Sequence, residues 1–259
     1  MASIELEGVE NVRDLGGIPT ADGRHVRRGL IYRGSALFHA TDADKDLLFR
    51  QLGIECVIDL RTGWERAAKP DPVPEKVEYL RIPYFDQETL GIDYCKPIAD
   101  TIVIGNDFAC DPHDFYSSMA NPITIDQMRK SVDSVFSRAA HGKPVYEHCS
   151  GGKDRAGVTA FLLLTVLGVS YEEAMRDYLL TNVSRERHIG HIYQRFLRLT
   201  QGDEDYAQLI TEAHSARTQN VDAFLAEVHR RYGSTDDFIR NQLRISDVAR
   251  EQFQAQCLE

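Results

Sequence analysis

Hydrophobic positions along the chain alternate between two periods. Residues 54–60 form an almost unbroken apolar run through Cys56, Val57, Ile58 and Leu60, which predicts a strand buried on both faces. Shorter runs predict strands at 30–33, at 77–82 before Pro83, and at 144–148. Helical spacing fills the intervals. Thr41 opens a helix with Asp44 in its first turn and Leu47, Leu48 and Leu52 following. Thr124 with Gln127 reads as a capping box ahead of a stripe of Met128, Val132, Val135, Phe136 and Ala139. Residues 155–167 are nearly all apolar, so that helix is central and buried, and Ser170 with Glu173 caps the next one. From 184 to 259 the pattern is helical but polar, with Phe224, Val228 and Tyr232 on one face and Gly233 as a stop. Residues 84–122 hold no period and predict a long irregular connection with a short helix near 115–119.

Strands alternating with helices imply an α/β fold: a central, mostly parallel sheet flanked by helices, with a helical C-terminal cap or lid. No Pro/Gly/Ser linker interrupts the chain, so residues 1–259 are expected to form a single domain with residues 184–232 as a lid within it.

Composition narrows the function without choosing it. The 42% hydrophobic and 27% charged content is that of an ordinary globular protein. The net charge of −10 argues against general affinity for nucleic acid or anionic membrane, so an anionic substrate needs a locally positive pocket. The longest apolar stretch, 158–169, is too short to span a bilayer, so no stable membrane insertion is expected. Five cysteines without a close pair, and an N-terminus lacking the pattern of a signal peptide, predict a reduced, cytoplasmic protein; export by a route that needs no signal peptide is left open.

The chemistry concentrates in one segment, from Val145 to Gly157. A strand ends at Cys149, five residues lead to Arg155, and an apolar helix begins there. A tight loop at a helix N-terminus turns backbone N–H groups toward an anion, and the helix dipole adds to the field. Gly151 and Gly152 permit the positive φ angles such a nest needs. The planar fork of Arg155 clamps two phosphate oxygens. Cys149 at the centre of this field is placed as a thiolate for in-line attack, forming a phosphocysteine. Cys56, alone in an apolar strand, reads as an inert core residue. A nucleotide-binding loop would need Gly where Glu147 stands and Ser or Thr where Asp154 stands. His188 and His191 are three apart but lack the carboxylate pattern of zinc enzymes, so no metal site is assigned. The chemistry needs no cofactor.

His148-Cys149-Ser150-Gly151-Gly152-Lys153-Asp154-Arg155 resembles the signature of the protein tyrosine phosphatase superfamily, in the Gly-Lys-Asp-Arg form of its bacterial and fungal branch. The resemblance extends to residues 11–17, 28–33, 58–62 with Glu65, 177–182 and 232–234. It implies a cysteine-dependent phosphoric monoester hydrolase acting on phosphotyrosine, with phosphoserine, phosphothreonine or phosphoinositide as further substrates. Ser150, Gly151, Gly152 and Lys153 are then expected to bind phosphate, and His148 to order the loop. A general acid must protonate the leaving oxygen. Asp154 in the loop is favoured, with Asp59 at a strand end as a substrate binder or auxiliary acid; Asp59 could instead pair with Arg61 or Arg155. The family usually carries Thr or Ser after the arginine, where this chain has Ala156. That departure keeps open a low-turnover phosphate-binding module. Thiol chemistry such as sulfur transfer or arsenate reduction is a third reading, which Arg155 and the aspartates fit less well.

Overall fold

The computed structural model describes residues 2–85 and 112–259. Six strands form one sheet: β1 (Ala2–Ser3), β2 (Arg13–Asp14), β3 (Ile31–Gly34), β4 (Cys56–Asp59), β5 (Glu78–Arg81) and β6 (Val145–His148), in the order β1-β2-β3-β6-β4-β5. β3, β6, β4 and β5 run parallel, while β1 and β2 add an antiparallel edge. The expected α/β architecture is therefore present; β4, β5 and β6 are one to three residues shorter than their apolar runs, and β3 is shifted by one residue. β1 and β2 escape detection because two residues carry no period.

The register positions the chemistry. Gly34 of β3 and Asp59 of β4 both pair with His148 of β6, so three parallel strands end level with one another. The chain leaves β6 at Cys149 from the middle of that edge, where open parallel sheets place their binding crevices.

Helices cover both faces. On one side α1 (Asp42–Asp46) continues through a π-helical turn at Leu47–Gln51, and Leu48 and Phe49 pack with Val57 and Tyr146. Thr41 and Asp44 cap it reciprocally. On the other side lie α4 (Pro122–Ala139) and α5 (Arg155–Val166), with α6 (Tyr171–Ser184) following. α5 buries ten of its twelve residues, the outcome its uniform apolarity predicts. α4 starts earlier than the Thr124 signal: Asn121 accepts from the N–H of Ile123 and Thr124, Pro122 takes the first helical position, and Thr124 Oγ1 donates to the Tyr84 carbonyl. Two short helices, α2 (Gly63–Ala68) and α3 (Pro112–Ser118), sit near the C-terminal edge of the sheet. Most of the expected irregular connection lies outside the described residues.

The C-terminal region divides differently from the expected lid at 184–232. α7 (Glu186–Leu199) and α8 (Glu204–His214) pack as a hairpin around their own small cluster of Phe196, Ala207 and Ile210. α9 (Thr218–Tyr232) instead places Val221, Phe224, Leu225 and Val228 in the main core. Residues 218–232 thus pack into the core, because their apolar stripe continues the interior. Past Gly233, at φ +94°, α10 (Thr235–Asp237), a second π-helical turn and α11 (Asp247–Cys257) close the fold. No helix among the described residues is long and apolar enough to cross a membrane.

Candidate active site

The loop from Cys149 to Arg155 is shaped by what its carbonyls bond. The Ser150 carbonyl accepts from the Ala36 N–H at 3.1 Å, Gly151 from Asn11 Nδ2 at 3.0 Å, and Gly152 from Arg33 Nη2 at 2.7 Å. Each peptide is planar and trans, so a carbonyl drawn outward turns the following N–H the other way. The N–H groups of Gly151, Gly152 and Lys153 are thereby turned away from those partners, next to the N-terminus of α5. Gly152 has φ +65°, and a Cβ there would lie 2.4 Å from the Gly34 backbone, so glycine is required.

The donors that hold the carbonyls are themselves held. Asp177 accepts from Arg13 Nε and Arg33 Nη1, both at 2.7 Å, and Arg13 Nη1 donates to Asn11 Oδ1. All four residues are buried. Burial would raise the Asp177 carboxyl, but the two guanidinium groups outweigh it and hold Asp177 below the usual carboxylate range. Asn11, Arg13, Arg33 and Asp177 fall within the blocks that carry the sequence resemblance, yet no sequence signal states their shared task.

Arg155 is aimed by Glu65. The Thr62–Glu65 capping box forms the first turn of α2, and the same carboxylate receives Arg155 Nη1 and Nη2 at 2.7 Å each. Ser150 Oγ donates to it at 2.5 Å. Burial opposes ionisation of Glu65, but the Arg155 charge and hydrogen bonds overcome this and push its pKa far down. Arg155 Nε is buried without a protein partner. A guanidinium gripped at one edge and unpaired at Nε is preorganised to receive an anion.

Asp154 stands at the start of α5 with its side chain 29% exposed. Its Oδ1 accepts from Tyr116 Oη at 2.5 Å and lies 3.3 Å from Lys153 Nζ. Tyr116 in turn meets Tyr178 Oη at 2.7 Å. Desolvation raises the Asp154 pKa, but Lys153, Tyr116 and Arg155 together leave it below the ordinary range. Lys153 is buried, its Nζ donating to the Ala213 carbonyl at 2.8 Å. The loop is thereby tied to the C-terminal end of α8.

Asp59 is not brought into the loop. It is fully buried, accepts from Arg61 Nε and Nη2 and from Tyr79 Oη at 2.5 Å, and so takes the pairing with Arg61 that the sequence left open. With Asp71 it flanks His148, whose Nε2 is 3.2 Å from Asp71 Oδ2 and whose Nδ1 is 3.0 Å from the Cys149 carbonyl. Burial disfavours the imidazolium, but the two carboxylates raise the His148 pKa. His148 therefore braces the Cys149 peptide from behind. Asp59, Asp71 and His148 are close enough to hold a metal ion, but Arg61 pairs with both carboxylates, at 2.8 and 2.5 Å, and supplies the cation.

Cys149 is 1% exposed, and Ala156 beside Arg155 is also buried. Burial pushes the thiol of Cys56 up to about 12 and that of Cys257 up to about 11, which fits inert core roles. The neighbouring hydroxyls of Thr159 and Ser150 do not replace the one missing at Ala156, because both are engaged elsewhere. Thr159 Oγ1 donates to the Arg155 carbonyl at 2.9 Å and meets Tyr84 Oη at 2.5 Å, while Ser150 serves Glu65.

A family model described as "Tyrosine phosphatase family" matches residues 4–259. The chain is 27% identical to a putative tyrosine-protein phosphatase of Cupriavidus necator over 95% of its own length and 85% of the relative's. It is 31% identical to the triple specificity protein phosphatase PtpB of Mycobacterium tuberculosis, covering 76% of each chain. Among solved structures, the catalytic domain of the S. cerevisiae PP-IP phosphatase SIW14 is similar at TM-score 0.39 and 15% identity, over 68% of this chain and 79% of that one.

Proposed function

Because the chain belongs to the tyrosine phosphatase family and is a cysteine-dependent phosphoric monoester hydrolase, we propose that Cys149 is its nucleophile, Arg155 its phosphate clamp and Asp154 its general acid. A phosphate seated in the loop would accept hydrogen bonds from its N–H groups and the Arg155 fork. The Cys149 thiolate attacks phosphorus in line, the P–O ester bond breaks, and Asp154 gives its proton to the departing oxygen. Asp154 then takes a proton from water as that water attacks phosphorus; the P–S bond breaks and inorganic phosphate leaves. The surroundings favour the Asp154 carboxylate in the resting loop, and a bound phosphate dianion beside it shifts that balance toward the protonated form.

The observation that carries this reading is a loop opening right after β6 whose three carbonyls are held by outside donors and whose Arg155 is gripped by Glu65. The buried, Arg61-paired Asp59 belongs to the support of His148, not to acid catalysis. The α7–α8 hairpin, linked to the loop through Lys153 but packed on its own cluster, serves as the lid. Phosphorylated proteins or phosphoinositides are the substrates, and the cytoplasm is the compartment we favour.

Three variants test the roles. Cys149→Ser is expected to abolish turnover of aryl phosphates. Asp154→Asn is expected to slow phenyl and alkyl phosphates far more than esters with good leaving groups, since only poor leaving groups need a proton. Turnover by Cys149→Ser, or a leaving-group dependence that follows Asp59→Asn instead, would overturn the assignment.

A further inference from the structure

Arg185 occupies the junction between α6 and α7, at the root of the hairpin. Its side chain is only 9% exposed. Its guanidinium lies flat against the catalytic loop, so close that a Cβ on Gly151 would be 3.0 Å from Nη1. Among the described residues this guanidinium makes no hydrogen bond: Nε is buried and unpartnered, and the nearest carboxylate oxygen, Glu10 Oε2, is 3.7 Å away. A guanidinium whose Nε is cut off from water without an acceptor is costly to leave unmet, so an arginine this buried marks a place for an anion. Arg155, across the loop, shows the contrast, with both Nη atoms on a carboxylate at 2.7 Å.

Further basic groups converge on the same place. Lys153 supplies a buried charge from the loop, and His188 and His214 face each other with ring centroids 6.4 Å apart. Both imidazoles are driven down to about 4, by burial first and then by Arg185 and Lys153. Burial, with the Arg185 and Lys153 charges adding to it, keeps both histidines neutral, so the fixed positive charge here is that of Arg185 and Lys153, although the whole chain carries −10. The opposing charges are Glu10 at the outer edge and Asp154, which shares Lys153.

We propose that Arg185, with His188 and His214 behind it, forms a second anion subsite beside the catalytic loop, which receives a neighbouring phosphate of the same small substrate molecule. The proposal rests on reading Cys149–Arg155 as the phosphate loop. Contact between the guanidinium and Gly151 requires the second anion to lie close to the first. Adjacent phosphates on one cyclic polyol meet that requirement. Successive residues of an extended peptide do not, because their side chains point to opposite faces.

The test compares kcat/KM for a chromogenic aryl monophosphate with that for a soluble inositol bisphosphate bearing adjacent phosphates, in the wild type and in Arg185→Gln. Loss of a charge-assisted contact predicts a fall of roughly 10–100-fold for the bisphosphate, with the aryl ester changed less than about 3-fold. His214→Gln, kept alongside because Arg185→Gln could disturb the loop, is expected to weaken the bisphosphate selectively and by less. The same headgroup displayed on phosphatidylcholine vesicles separates the sources: an Arg185-dependent gain with the soluble form indicates a free metabolite, and a gain on vesicles alone indicates a lipid. Equal losses on both substrates, no preference for the bisphosphate in the wild type, or an Arg185-dependent gain only for a doubly phosphorylated peptide would each overturn the proposal. If the aryl ester were inert, the reading of the loop itself would fail. Calorimetric binding of pyrophosphate against phosphate, with and without Arg185→Gln, would then still decide the subsite.

Discussion

Glu147 lies on β6 two residues before Cys149, with its side chain sealed between the sheet, α4 and α5. Its Oε2 accepts from Ser131 Oγ at 3.1 Å, and its Oε1 has no partner. Burial raises its pKa from 4.5 to about 7, against the weaker pull of Ser131, Thr159, Arg33 and His148. The unfolded chain releases this proton near 4.5, whereas the folded chain keeps it until about 7. Below that window the carboxyl is protonated in both states. Through the window only the folded state holds the proton, so stability falls as pH rises, by about 1.4 kcal/mol per unit. Above it the loss is complete, at about 3 kcal/mol in total. Glu147→Gln keeps the shape and removes the titration. Urea unfolding of both proteins at pH 5 and pH 8 should show the variant gaining on the wild type by about 2.5 kcal/mol between those two conditions. Subtracting one protein from the other cancels every other titrating group. A difference that stays flat with pH would refute the reasoning, and a difference of opposite sign would mean that Glu147 is ionised and paired in the folded protein.

Other perturbations probe the loop and its cover. Arg155→Lys keeps the charge but loses the fork that Glu65 orients, and turnover of an aryl phosphate should drop by roughly 10²-fold or more; a rate near that of the wild type would make Arg155 structural. With Ala156 offering no hydroxyl to the departing sulfur, and Thr159 and Ser150 engaged elsewhere, breakdown of the phosphocysteine should limit turnover. Stopped flow with a fast-leaving ester should then show a burst approaching one equivalent, and Ala156→Thr should shrink the burst and speed the steady state by roughly 10-fold, a hydrogen bond to a charged group being worth ~1.5–3 kcal/mol; no burst and no gain would refute this. Hydrogen exchange with and without vanadate should show added protection in α7 and α8 but little change in the buried stretch of α9, and equal protection of the hairpin in both states would remove it as a lid.

Much of this protein could be read without coordinates, because the relevant signals are local. A strand, two glycines and an apolar helix are contiguous, and their φ preferences and periodicity depend on near neighbours alone. The Cys149–Arg155 loop, the burial of α5 and the caps at Thr41 and Ser170 follow from short windows of sequence. The same locality explains the misses: β1 and β2 are too short for any period, and Thr124 looks like a cap until Asn121, one turn earlier, takes that task.

Polar partnership across the chain was decided only by the tertiary structure. Glu65 reaches Arg155 from 90 residues away, Asn11 reaches Gly151 across 140, and Asp177 joins Arg13 across 164. Which carboxylate meets which guanidinium depends on how strand ends align. The shared register at His148 draws Asp59 into the support of His148. The register also leaves Lys153 buried against α8, and packing divides the polar C-terminal helices into a core member and a separate hairpin. Hydrophobic period announces that a face is buried, but the partner that buries it is set by the assembled sheet.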